Sequence, residues 1–182
     1  MSTLLGLCGS LRAASLNRKL MREAARLYGG PFEEGNLRFP LYDGDLEEAE
    51  GIPAEVQALA DQIKAAPAVL VATPEYNKGI SGVLKNALDW VSRTQGAPWD
   101  QKPVAILSAT AGRAGGERAQ YALRLSLHPF RADVLQGPEV LVGAAQGEFD
   151  EDGRLQNARN LSDLETLMGM LRAKATADSG FR

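Results

Sequence analysis

Three short apolar runs, Leu4–Cys8, Ala68–Ala72 and Val104–Leu107, constrain this chain more than any other feature. None alternates apolar with polar positions, so none suits a sheet with one face in water. Strands covered on both faces occur almost only in parallel sheets sandwiched between helices. The segments between the runs supply such helices. Asn17–Leu27 sets Leu20, Ala24 and Leu27, with Leu16 just ahead of it, on one face and Arg18, Lys19, Arg22 and Arg26 elsewhere, until Tyr28-Gly29-Gly30-Pro31 ends it. Val56, Leu59 and Ile63 mark a helix from Pro53 to about Ala65. Ser81–Val91 and Glu117–Leu127 predict two more, the latter closed by His128-Pro129. Leu161, Leu164, Met168 and Leu171 mark a last one.

Leu37-Arg38-Phe39 reads as a weak strand, Val140-Leu141-Val142 as the last strand and Leu41–Gly51 as a solvated acidic loop. About five strands alternating with helices predict a doubly wound parallel sheet of flavodoxin-like order 2-1-3-4-5 in a three-layer α/β/α sandwich. The 182-residue length fits one domain, residues 1–175, with 176–182 as a flexible tail.

Composition narrows the function. A formal charge of −3 provides no basic field, which argues against nucleic acid. One cysteine, Cys8, and one histidine, His128, cannot build a Cys/His metal site or an intrachain disulfide. That usage suits a reducing cytoplasm. Cys8 reads as a small core residue. The N-terminus lacks the basic stretch of a signal peptide, and no apolar run approaches the roughly 20 residues of a membrane helix.

In an open parallel sheet, ligands bind beyond the carboxyl ends of the strands. The segments to read are therefore 9–17, 73–82 and 108–116. The first runs from a strand into a helix N-terminus, where unpaired N–H groups and the helix dipole favour an anion. Ser10, Ser15 and Asn17 add neutral donors and Arg12 a forked cationic one, a set suited to a phosphate monoester. Helix capping by Ser15 or Asn17 accounts for one of these groups, not for all four. No G-x-x-x-x-G-K-[ST] or G-x-G-x-x-G pattern occurs. The second segment, Thr73-Pro74-Glu75-Tyr76-Asn77-Lys78-Gly79-Ile80-Ser81-Gly82, exposes backbone at a rigid turn and offers Tyr76 for stacking. A surface turn with Ser81 capping the next helix is equally consistent with it. The third carries Ser108, Gly112, Gly115 and Gly116, where glycine permits close backbone approach.

Taken together, Gly9-Ser10-x-Arg12-x-x-Ser15-x-Asn17, Pro74-Glu75-Tyr76-Asn77 and Leu84-Lys85-Asn86-Ala87-Leu88-Asp89-Trp90 resemble the NAD(P)H-dependent FMN reductase family. Within it, the bacterial quinone and chromate reductases are the most similar branch. Lys102-Pro103-Val104 and Gly115-Gly116-x-Arg118-x-Gln120-Tyr121-x-Leu123-Arg124 extend the match, which spans residues 4–130 or so. The resemblance implies tightly held FMN, its phosphate at Ser10, Arg12, Ser15 and Asn17, with Leu16 also against the cofactor. It sets the isoalloxazine ring against Pro74, Glu75, Tyr76 and Asn77, bordered by Ser108 to Gly112, and counts Gly79 among the cofactor-binding residues. It also implies NADPH or NADH as co-substrate, a quinone, azo dye, metal oxyanion or flavin as acceptor, and a homodimer or homotetramer, with Trp90 and Trp99 either in a subunit contact or in the core. Ala109 stands where relatives often carry a hydroxyl residue, and Lys78 replaces a frequent aromatic. No catalytic side chain is implied, because a flavin carries the chemistry itself. A flavodoxin-type electron carrier is the alternative. A serine hydrolase is disfavoured, since Gly79-Ile80-Ser81-Gly82-Val83 misses the last position of G-x-S-x-G and His128 is the one histidine.

Overall fold

The computed structural model describes residues 3–178. In chain order its elements are β1 (Leu4–Cys8), α1 (Leu16–Tyr28), β2 (Phe32–Glu34), α2 (Gly44–Glu50), α3 (Ala54–Ala65), β3 (Val69–Ala72), α4 (Gly82–Val91), β4 (Pro103–Ala109), α5 (Glu117–Leu127), β5 (Asp133–Val134), β6 (Val140–Val142) and α6 (Ala158–Asp178). Short 3₁₀ turns follow α5 at His128–Phe130 and β6 at Ala145–Gly147.

The sheet is parallel, in the order β2-β1-β3-β4-β5, the flavodoxin-like order, with β6 also on β4. The fifth position is divided. β5 pairs with Pro103 and Val104 of β4, while β6 pairs further along, with Leu107, Ser108 and Ala109. In the register Cys8 lies beside Ala72, and Ala72 beside Leu107. The loops that leave β1 and β3 therefore emerge at one edge, beside the end of β4.

Alternate residues of each strand feed two apolar layers. Leu4, Cys8, Leu70, Ala72, Ala105 and Leu107 pack with α1 and α6, through Leu20, Met21, Leu164, Met168 and Leu171. Leu5, Leu7, Val69, Val71, Val104 and Ile106 pack with α3, α4 and α5, through Val56, Ile63, Leu84, Leu88 and Leu123. Covering on both faces is why the strand sequences are apolar throughout.

Several expectations are corrected. Leu37–Phe39 is not a strand. The edge strand is β2, pairing Leu4 with Phe32 and Gly6 with Glu34, and Leu37 turns inward to the core instead. β2 carries two acidic residues, of which Glu34 is held by Arg18 and Arg22 of α1 and Glu33 accepts from Gln62, so no apolar run marks it. The acidic loop contains a helix, α2. Asp43 caps it by accepting from the Asp45 N–H at 3.0 Å, and Asp45 and Glu47 occupy its first turn, where the helix dipole favours negative charge. Of the two places left open for Trp90 and Trp99, the core is the one observed: both are buried in the second layer, and the Trp90 indole N–H donates to the Pro40 carbonyl at 2.8 Å. The last helix runs through Asp178, past Thr176 where the sequence places the start of a loose tail. Residues 179–182 of that tail lie outside the described residues.

One buried charge ties the C-terminal segment to α1. Glu23, 3% exposed, meets Arg26 at 2.8 Å and Arg154 at 3.0 Å. The Arg26 hydrogen bond, aided by both positive charges and opposed by burial, holds the Glu23 carboxyl below the usual carboxylate range.

Candidate functional site: a cleft at the carboxyl edge of the sheet

Where the loops after β1, β3 and β4 meet, they enclose a cleft of about 300 Å³, at the low end of the usual range for small-ligand sites. Ser10, Arg12, Ser15, Leu16 and Asn17 line one side. Pro74, Glu75 and Tyr76 line another, and Ala109 to Gly112 with Gln146 complete it. Gly9 allows the close approach. A Cβ there would lie 3.0 Å from the Ser81 hydroxyl and 3.1 Å from Pro74 Cδ, so any larger residue would push the first two loops apart.

The first loop delivers free donors. The Ser10 hydroxyl and the Arg12 guanidinium have no hydrogen-bond partner among the described residues. Ser15 is the N-cap of α1, its Oγ accepting from the Arg18 N–H at 3.2 Å. That leaves the Ser15 hydroxyl hydrogen available, with Cys8 Sγ 3.7 Å away. The first turn of α1 carries no acidic residue and instead carries Arg18 and Lys19. This reverses the usual preference at a helix N-terminus and leaves the positive end of the dipole uncompensated.

Asn17 behaves differently from the free donor the sequence suggests. Its amide nitrogen donates to the Ala109 carbonyl at 2.8 Å, and its Oδ1 accepts from the Ala109 N–H at 2.9 Å. It lines the cleft, but its main work is to clamp the start of α1 to the end of β4.

The second loop is a tight hairpin. Tyr76 and Gly79 exchange backbone hydrogen bonds at 3.1 and 3.0 Å, and the two residues between them, Asn77 and Lys78, have φ of 50° and 65°. Positive φ at both central positions is the geometry of a type I′ turn, matched to the twist of a two-residue hairpin. Asn77 and Gly79 therefore shape the turn and do not line the cleft. Tyr76 is half exposed at the rim. Glu75 Oε2 accepts from the Ala119 N–H at 3.2 Å, in the first turn of α5. The α5 N-cap is Gly116, in the left-handed region at φ 93° with no side chain to cap, so Glu75 reaches across from the second loop to do it. Ser81 caps α4 through the Leu84 N–H.

Ser108 lies within β4, not in the loop after it, and faces away from the cleft. Its hydroxyl donates to the Gly115 carbonyl at 2.6 Å and accepts from Gln120 at 2.8 Å. Thr110 and Ala111, within the expected Ser108–Gly112 border, do line the cleft, whereas Gln146, which also lines it, carries no local motif in the sequence. Gln146 arrives on the 3₁₀ turn after β6, brought there by the β4–β6 pairing.

A doubly wound sheet with an anion-seeking helix start and a narrow slot at its carboxyl edge defines a mononucleotide-binding α/β protein. Comparison with known proteins names the family. The profile of the NADPH-dependent FMN reductases matches residues 2–147. An NAD(P)H-dependent FMN reductase of Pseudomonas aeruginosa is 47% identical over 154 residues, covering 83% of each chain. A quinone reductase of Escherichia coli K12 is 42% identical over 148 residues, 79% of each. Among solved structures, the flavoenzyme NAD(P)H:(acceptor) oxidoreductase FerB of Paracoccus denitrificans superposes with a TM-score of 0.87 at 30% identity, covering 97% of this chain and 98% of its own. The chain belongs to the NADPH-dependent FMN reductase family.

Proposed function

We propose that the cleft holds FMN with its phosphate at the Ser10–Asn17 loop and its ring between Pro74–Tyr76 and Ala109–Gly112. The observation that carries this reading is the pair of unpartnered donors, the Ser10 hydroxyl and the Arg12 guanidinium, beside a helix start with no acid in its first turn. A phosphate dianion supplies the missing negative charge there. The small side chains of Ala14, Ala109 and Ala111 leave room for a flat group.

FMN held in this way would supply the redox chemistry, the acceptance of hydride from NADPH or NADH and its delivery to an acceptor. The protein's part is positional. Arg12, Ser10 and Ser15 hold the phosphate end. Pro74 and the Ala109–Gly112 backbone orient the ring. Tyr76, at the rim, lies where a second planar molecule would approach. Asn17 and Glu75 touch the cleft but serve by fixing the β4 end and the start of α5.

The acceptor we favour is a quinone, the class named in the E. coli relative, with azo compounds, chromate and free flavin as further candidates. Residues 1–175 act as one domain, and the active form is a homodimer or homotetramer in the cytoplasm. Among the described residues, no helix is long and apolar enough to cross a membrane, and Cys8 is buried and free. The test is direct. The purified chain is expected to be yellow, to bleach with NADPH or NADH, and to regain its colour on adding a quinone with stoichiometric quinol formed. Flavin binding without reduction by either nucleotide would favour an electron carrier of the flavodoxin type.

A further inference from the structure

The phosphate-side loop is held from behind by two arginines that do not line the cleft. Arg18 donates from Nη1 to the Arg12 carbonyl at 2.9 Å and from Nη2 to the Ser10 carbonyl at 3.4 Å. Arg38 donates to the carbonyl between them, that of Leu11, at 3.3 Å. Three consecutive carbonyls are thus engaged by guanidinium groups. A carbonyl that faced the cleft would repel an anion, so tying these three back keeps the cleft side of the loop for donors. The same Arg18 is itself fixed. Its Nε contacts Glu34 at 3.1 Å, its backbone N–H donates to the Ser15 cap, and Glu34 is shared with Arg22 at 2.6 Å.

Arg18 is also in an unfavourable place for a purely structural residue. It stands in the first turn of α1, where a cation opposes the helix dipole. Surface ion pairs such as Arg18–Glu34 are weak in general, so stability alone is a poor reason for it. Its fork, by contrast, fits two carbonyls and a carboxylate at once, which a lysine ammonium does not match.

We propose that Arg18, braced by Glu34, is a positioning residue that sets the Ser10–Arg12 backbone for phosphate, so that it governs the preference for FMN over the phosphate-free flavin. This rests on the placement of the phosphate proposed above. Acting through the loop, it is expected to affect the phosphate end and leave ring binding alone.

The test titrates the flavin-stripped full chain with FMN and with riboflavin, which share a ring and differ by the phosphate. The wild-type chain is expected to hold FMN the more tightly. In Arg18→Ala the FMN Kd is expected to rise about tenfold, as for a lost charge-assisted contact, with the riboflavin Kd changed less than about twofold. Arg18→Lys keeps the charge and loses the fork, and is expected to remain close to Arg18→Ala. Glu34→Gln, which leaves the arginine in place and removes its brace, is expected to give a smaller loss of the same FMN-specific kind and serves as the reading if Arg18→Ala fails to fold. An unchanged FMN-to-riboflavin ratio in Arg18→Ala, or full recovery in Arg18→Lys, would overturn the role of Arg18. A wild-type chain that binds riboflavin as tightly as FMN would overturn the phosphate placement itself.

Discussion

The two loops that face each other across the cleft are built by opposite means. The first, after β1, has a backbone held by side chains from elsewhere: Arg18 and Arg38 on its carbonyls, and Asn17 clamped on Ala109. The second, after β3, holds itself, by the Tyr76–Gly79 backbone pair and two residues in left-handed conformation. The first is a site in which residue chemistry decides what binds. The second is one in which backbone shape decides. A charged phosphate calls for the former and a planar heterocycle with polar edges for the latter.

If that contrast is right, side-chain deletions should be costly on the first loop and conformational changes on the second. The largest effect is expected from Asn17→Ala. It strands the buried Ala109 N–H and carbonyl together, for a loss on the order of 3 kcal/mol of folding stability by denaturant titration. Next is Arg12→Ala, expected to weaken FMN binding by roughly 1.5–3 kcal/mol while leaving thermal stability nearly unchanged, since Arg12 is exposed. On the second loop Lys78→Gly is expected to raise stability by about 0.5–1 kcal/mol, because glycine takes positive φ without strain. A loss of stability there would mean that the Lys78 side chain, not the turn, matters.

The smallest effect concerns pH. Glu23, on the helix that the first loop opens, has its folded pKa lowered chiefly by Arg26. A lowered folded pKa contributes stability above the usual carboxylate value, and that contribution is lost as the pH falls through and below it. The melting temperature is expected to drop on acidification below about pH 4.5, the ordinary value for such a carboxyl, and Glu23→Gln is expected to flatten that limb of the curve.

The strands buried on both faces were legible in the sequence because covering on two sides demands uninterrupted apolar runs, as in Val69–Ala72 and Val104–Leu107. The bounds of α5 were legible too, set by Gly115-Gly116 before it and His128-Pro129 after it. The edge strand β2 was not, since Phe32-Glu33-Glu34 is held in place by one ladder and by ion pairs to α1, which leave no periodic trace. The first loop of the cleft announced itself through its density of donors. The roles inside it did not. Asn17 and Glu75 looked like ligand-facing groups, and both turn to backbone partners more than 40 residues away in sequence, Ala109 and Ala119. Ser108 looked accessible at a strand end and is turned into the α5 side by Gln120. Gln146 enters the cleft only because β6 joins β4. Such placements depend on register, which no local pattern contains.

Everything in the cleft turns on where the phosphate sits. A crystal structure of the chain with FMN tests it most directly. The phosphorus is expected at the α1 N-terminus, within hydrogen-bond reach of the Ser10 and Ser15 hydroxyls and the Arg12 guanidinium, with the ring alongside Pro74 and Tyr76. A phosphate lodged elsewhere, with those three side chains facing solvent, would contradict it.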